Sequence, residues 1–192
     1  MINKYIQQLS RSIQLLNREK VERLICEIVK VKKERGRIFF LGIGGSAGNA
    51  SHAVNDFRKI CNIECYCPTD NVSEITARTN DEGFEKIFSQ YLLNSKLAKK
   101  DAIFIFSVGG GNKKLKISLG LIEAIKLARK RGSKVFSIIA KRDGYAYKNS
   151  DVTILIRVDD KEYITPISES MQAVIWHALV SDHRLKKNKT KW

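Results

Sequence analysis

The sequence predicts an α/β domain built on a mostly parallel sheet. Three observations carry that reading. Five short apolar runs alternate with segments whose apolar residues recur at three- and four-residue steps. Glycine-rich turns follow two of the runs, at the strand ends where such sheets gather ligands. At 192 residues the chain has the size of one domain, and it shows no internal repeat and no interdomain linker.

The elements follow in order. Residues 2–35 read as helix, because Ile6, Leu9, Ile13, Leu16, Val21, Leu24, Ile25 and Ile28 keep helical spacing. A break near Asn17 to Lys20 divides the stretch, and Gly36 stops it. Arg37 to Gly42 is a short apolar strand, and Gly42 to Gly45 a tight turn. Ser46 to Arg58 reads as a helix with Ser46 as its N-cap. Ile63 to Tyr66 is a weak strand ended by Cys67-Pro68. Asn71 to Ala77 and Glu82 to Leu97 are expected to be helical. Asp101 to Ser107 is a buried strand, and Leu115 to Arg131 a helix stopped by Gly132. Lys134 to Ala140 and Asp151 to Ile156 are strands. Thr165-Pro166 opens a last helix running to about Ser181.

Composition excludes several classes. Hydrophobic residues make up 43% and prolines number 2, which excludes a largely disordered chain. No apolar run approaches the roughly 18 residues of a membrane span. Residues 1–8 alternate apolar and polar without a secretory core, and Cys26, Cys61, Cys65 and Cys67 fit no zinc module. The expectation is a cytoplasmic protein with free thiols. The net charge of +15 raises nucleic acid as a partner. However, residues 184–192 hold five bases and no acid, so the body keeps +10, and its bases are scattered. No nucleic-acid motif accompanies them. Solvated faces or attraction of anionic substrates account for the charge more simply.

Two turns have phosphate-binding chemistry. In Gly42-Ile-Gly-Gly-Ser46, glycines permit close backbone approach and the next helix offers unpaired N–H groups. The sequence fits neither a P-loop nor Gly-x-Gly-x-x-Gly. Ser107-Val-Gly-Gly-Gly-Asn112 repeats the arrangement after another strand. His52 and Asp56, four apart, share one helix face. Glu169 and His177 lie eight apart in the last helix, about 12 Å along a continuous axis. They can serve one ion only if the helix begins after Glu169 or if two subunits contribute. His183 falls in the basic tail and is expected to be solvated.

Four motifs then occur in order: Gly44-Gly-Ser-Ala-Gly-Asn-Ala-Ser-His52, Asn80-Asp-Glu-Gly-Phe84, Ser107-Val-Gly-Gly-Gly-Asn112, and Thr165 to His177. Together they resemble the sugar-isomerase (SIS) domain family, and within it the sedoheptulose-7-phosphate isomerases, over nearly the whole chain. The resemblance implies a flavodoxin-like three-layer α/β/α fold with a mostly parallel five-stranded sheet preceded by N-terminal helices. It implies one SIS domain over residues 1–183, with a helical segment at 1–35 and a basic tail at 184–192 whose deletion should leave isomerisation nearly unchanged. It implies a homotetramer with sites between subunits, and conversion of sedoheptulose 7-phosphate to glycero-manno-heptose 7-phosphate through an enediol, for bacterial surface polysaccharide. Zn2+ would be held by His52, Asp56, Glu169 and His177, with Asp56 and His177 as the acid–base pair. Gly44, Gly45, Ser46, Asn71, Asn80, Asp81, Ser107, Gly109, Gly110, Asn112 and Glu169 would contact the sugar phosphate.

The chain departs from the family pattern at several of these positions. Ile43 stands for Asn, Asn49 for Asp, Asp56 for Glu and Glu169 for Gln, and the second loop keeps only the Ser107 hydroxyl. Lys113, Lys114 and Lys116 are candidate replacements as phosphate ligands. These changes leave open another sugar phosphate as substrate. They also leave open a non-catalytic scaffold of the kind formed by the DnaA-associating proteins of this fold. Retention of His52, Asp56, Glu169 and His177 argues against the scaffold, which has no need of convergent ligands.

Overall fold

A computed structural model describes residues 2–189. Two helical segments open the chain, α1 (Ile2–Gln14) and α2 (Arg18–Lys33). The break at residues 15–17 has a local cause: the Asn17 side chain accepts from Lys20 N and caps α2. There follow β1 (Ile38–Leu41), α3 (Gly45–Lys59), β2 (Cys65–Tyr66), α4 (Val72–Glu82), α5 (Ile87–Asn94), β3 (Ala102–Phe106), α6 (Leu119–Arg131), β4 (Lys134–Ile139), α7 (Tyr145–Asn149), β5 (Val152–Leu155) and α8 (Ile164–Ser181).

The five strands form one sheet in the order β2-β1-β3-β4-β5, and every pair is parallel. Period-two alternation divides the core. Ile38, Phe40, Phe104 and Phe106 face a layer made by α2, α3 and α8, against which α1 packs. Phe39, Leu41, Ile103 and Ile105 face α5, α6 and α7. Both faces are covered, so the strands read as continuous apolar runs without polar alternation. This is the expected three-layer α/β/α architecture.

Asp101 ties the amino end of β3 to that of β1. It is fully buried, accepts from Arg37 N at 2.9 Å and Ala98 N at 3.0 Å, and pairs with the Arg37 guanidinium at 2.7 Å. Burial pushes its pKa up, but the Arg37 and backbone hydrogen bonds outweigh that and hold it below the usual carboxylate value of 3.8. Its stabilisation is therefore present above about pH 4 and is lost as pH falls through the lowered folded value. Asp101→Ala is expected to destabilise the domain by about 3 kcal/mol at pH 7, since it leaves two N–H groups and a guanidinium without their acceptor. Denaturant melts at pH 7 and pH 3 check this: the difference between the two proteins should shrink at the lower pH.

Three local expectations need correction. Ser46 is not an N-cap; α3 starts at Gly45 from Gly44, whose φ of 63° and ψ of −130° suit only glycine, and no side chain caps it. The helix expected at Leu115 starts at Leu119, because Asn112 Oδ1 accepts from Leu115 N and residues 112 and 117 pair as a bridge. The helix expected from Glu82 to Leu97 is interrupted at Gly83 (φ 90°) and by a 3-10 turn at Phe84–Lys86. The short α7 gave no period in the sequence.

The basic tail is another departure, over its described part to residue 189. Leu185 is fully buried in the core. Lys187 N and Asn188 N both donate to Ile60 O, at 2.9 and 3.1 Å. The Arg184 guanidinium pairs with Asp182 and Glu22. Residues 184–188 are thus a strap packed on the end of α3, and removing them takes Leu185 out of the core. His183 is exposed, as expected.

Candidate active site

The side chains with the most chemistry converge where α3 and α8 pack together. His52 and Asp56 lie one turn apart on α3, and His177 comes from α8. His52 Nε2 is 3.7 Å and His177 Nε2 3.4 Å from Asp56 Oδ2. The ring centroids of the two histidines are 5.5 Å apart at 83°. Asp56 is 3% exposed, whereas both imidazoles are about half exposed. The carboxylate is oriented by two donors: Trp176 Nε1 to Oδ2 at 3.1 Å and Asn55 Nδ2 to Oδ1 at 3.1 Å. Trp176 is itself fixed by stacking on Phe106, with centroids 5.9 Å apart.

These residues fit a metal ion. One donor atom from each lies within 4.8 Å of the others. Two ligands of a tetrahedral zinc with bonds of ~2.0 Å stand about 3.3 Å apart, close to the observed 3.4 and 3.7 Å. Ala173 O lies 2.9 Å from His177 Nδ1 and can only accept, so in the neutral ring Nδ1 carries the proton and Nε2 holds the lone pair, available to an ion or a substrate proton.

Residues 3–140 match the SIS domain family. The chain belongs to that family. Among its relatives, the phosphoheptose isomerase of Helicobacter pylori (strain P12) is 24% identical over 188 residues, which is 94% of this chain and 92% of that one. The lincomycin biosynthesis protein LmbN of Streptomyces lincolnensis is 31% identical over 154 residues; the match takes in 77% of this chain and 56% of LmbN, so the chain spans little more than half of that relative. The phosphoheptose isomerase structure from Neisseria gonorrhoeae superposes with a TM-score of 0.79 at 21% identity, over 93% of this chain and 92% of that one, a likeness of fold.

In this SIS domain the fourth expected ligand stands apart. Helix α8 is continuous from Ile164 to Ser181, so Glu169 cannot join His177 on one ion within a chain. Its carboxylate lies over the first turn of α3, where a Cβ on Gly45 would collide with it. A carboxylate there is favoured by the positive end of the helix, and it competes with a phosphate for the same place. Ser46 is 2% exposed and its Oγ accepts from Gln172 Nε2 at 3.1 Å; Asn49 Nδ2 donates to Gln172 Oε1 and Glu169 O. The first turn is therefore already engaged by α8.

The second turn, after the neighbouring strand β3, is freer. Gly110 N donates to Ser107 Oγ at 3.0 Å, folding the loop on itself. A Cβ on Gly109 would meet nothing within 4 Å. Asn112 is taken up by its turn. Asn71 caps α4 through Glu74 N, and Asn80 donates to Asp81 on the exposed face of the same helix; none of the three borders the histidines. Sequence reasoning missed Trp176, Gln172 and Asn55 as supports. Gln172 did leave a signal, a polar residue within the buried stripe of α8 formed by Ser168, Met171, Ile175 and Leu179. Among the described residues, no helix is long and apolar enough to cross a membrane.

Proposed function

We propose that this SIS domain is a phosphosugar aldose–ketose isomerase acting on sedoheptulose 7-phosphate in the cytoplasm. The observation that carries the reading is the convergence of His52, Asp56 and His177, with a buried, doubly hydrogen-bonded carboxylate between two half-exposed imidazoles. Isomerisation through an enediol needs one group to take a proton from carbon and another to give one to the carbonyl oxygen. Asp56 Oδ2 and His177 Nε2, 3.4 Å apart, can divide those roles. Trp176 and Asn55 hold the carboxylate in place through the exchange, and the Nδ1–H bond to Ala173 O keeps the His177 tautomer. The same three side chains would hold Zn2+, which when bound supplies Lewis-acid polarisation of the carbonyl. Because the ligand atoms and the proton-transfer atoms coincide, the metal requirement is itself informative.

A length supports a shared assembly. Gly45 and Asp56 are eleven residues apart on one rigid helix, about 16 Å. A seven-carbon chain of ~1.5 Å bonds zigzags over less than about 10 Å. That separation supports a reading in which a substrate with its carbonyl at Asp56 takes its phosphate from another subunit's turns. That supports a homotetramer with shared sites, in which Glu169 of a neighbouring chain could also approach the triad. Of the two turns, the one at Ser107, Gly109 and Gly110 is the better phosphate cradle, because Glu169 already covers Gly45.

The test is proton NMR in D2O on protein stripped with chelator and then titrated with zinc. The expected result is appearance of the aldose, with deuterium beside the carbonyl. Activity that rises with zinc assigns the ion to catalysis, and activity that falls assigns the bare Asp56–His177 pair. Silence across a panel of ketose phosphates, with and without zinc, would sink the enzyme reading in favour of the scaffold.

A further inference from the structure

We infer that Lys186 is a specificity-determining residue of the triad cleft, its ammonium donating to an oxygen at the carbonyl end of the substrate. The inference rests on the phosphosugar reading above. A cleft of ≈ 290 Å³ opens beside the triad, and Lys186 lines it together with His52, Asp56, Ile60 and His177. Lys186 is the one lysine or arginine of that lining. Among the described residues it forms no ion pair. The only carboxylate of the cleft, Asp56, is committed to Trp176, Asn55 and the two imidazoles. Lys186 thus offers a mobile ammonium beside the triad, where it can donate to a substrate oxygen.

The placement of this lysine is built. Lys186 N donates to Asp182 O at 2.8 Å, and Leu185 before it is fully buried. Lys187 N and Asn188 N after it donate to Ile60 O, and Asn188 Nδ2 donates to Lys59 O at 2.7 Å. Arg184 clamps the start of the strap to Asp182 and Glu22. A lysine needed only for solubility requires none of this. Here the backbone before it is tied to Asp182 at the end of α8, and the backbone after it to Ile60 at the end of the helix that carries His52 and Asp56. Only the four-carbon stem moves, so the ammonium can follow an oxygen anywhere in the cleft.

The experiment compares wild type, Lys186→Met and Lys186→Arg as full chains loaded with zinc. Calorimetry gives the Kd for sedoheptulose 7-phosphate and for other ketose phosphates, and NMR gives kcat and KM. Loss of a charge-assisted hydrogen bond is expected to raise Kd and KM in K186M by roughly tenfold to a hundredfold. K186R should stay within about threefold of wild type, and melting temperature and zinc affinity should stay unchanged, because the side chain is exposed and forms no ion pair among the described residues. Equal affinities for wild type and K186M, or no binding of any ketose phosphate to wild type, overturns the assignment. Binding that weakens in K186M without turnover in any of the three proteins overturns the isomerase reading and leaves Lys186 in place.

Discussion

His177→Ala is expected to lower kcat for ketose phosphate isomerisation by roughly 10²- to 10⁴-fold, the usual contribution of a positioned general acid or base. The fold should be nearly indifferent to the change. The imidazole is about half exposed, and its one hydrogen bond goes to Ala173 O in its own helix. Residues that lock α8 to the sheet, Trp176 and Ile175 among them, keep their contacts. A melting temperature within a few degrees of wild type is therefore expected, together with an unchanged oligomer. Zinc affinity should fall as well, since one of three donors is gone. His177→Gln separates the two losses, because it keeps some capacity to ligate while it cannot shuttle a proton near neutral pH. Turnover retained in both variants removes His177 from the acid–base role.

The layers of the domain were legible because burial on both faces writes unbroken apolar runs. Ile38 to Leu41 and Ala102 to Phe106 could be read as inner parallel strands with no further help. The division of the first 33 residues into two helices was legible for a similar reason, since Asn17 is a good cap next to a break in the periodicity. The errors fall where a side chain competes with the local code. Ser46 had the right chemistry for an N-cap, but Gln172 reaches it from another helix and the chain turns at Gly44 instead. Leu115 continued the helical spacing, but Asn112 closes a turn over it. Gln172, 126 residues from Ser46, leaves no trace in a local pattern, whereas the Asn112 turn is local and was outweighed by the helical spacing.

The site divides in the same way. His52 and Asp56 were visible because a four-residue step puts two side chains on one helix face. His177 needed the resemblance, since nothing in the spacing says that α8 packs on α3. The failure of Glu169 to join them had a basis in the sequence, the 12 Å implied by eight residues of continuous helix. The strap was misread because charge dominated the reading of residues 184–192. One leucine among the bases, Leu185, holds it to the core, and a single buried apolar residue has no period to betray it.

The division of the site between turn and triad gives the second large effect. Gly109→Glu is expected to fold, since a Cβ there meets nothing within 4 Å. It places a carboxylate in the Ser107 loop, where like charge repels a phosphate, and kcat/KM should fall by roughly 100-fold or more. Alone, G109E and H177A should each be nearly inactive. Unfolded together, mixed and reassembled, they should recover about a quarter of wild-type activity, because random pairing of chains around a symmetric oligomer joins an intact triad to an intact loop in one site of four. Were the loop and the triad of a single chain to serve the same substrate, every site would carry one lesion and the mixture would stay as inactive as its components. Recovery near a quarter would mean that the loop of one chain and the triad of another share one substrate. No recovery, with mixed oligomers demonstrated by mass spectrometry, would mean that one chain spans the substrate alone. The phosphate would then have to lie nearer the triad, with Lys186 as the cation closest to hand.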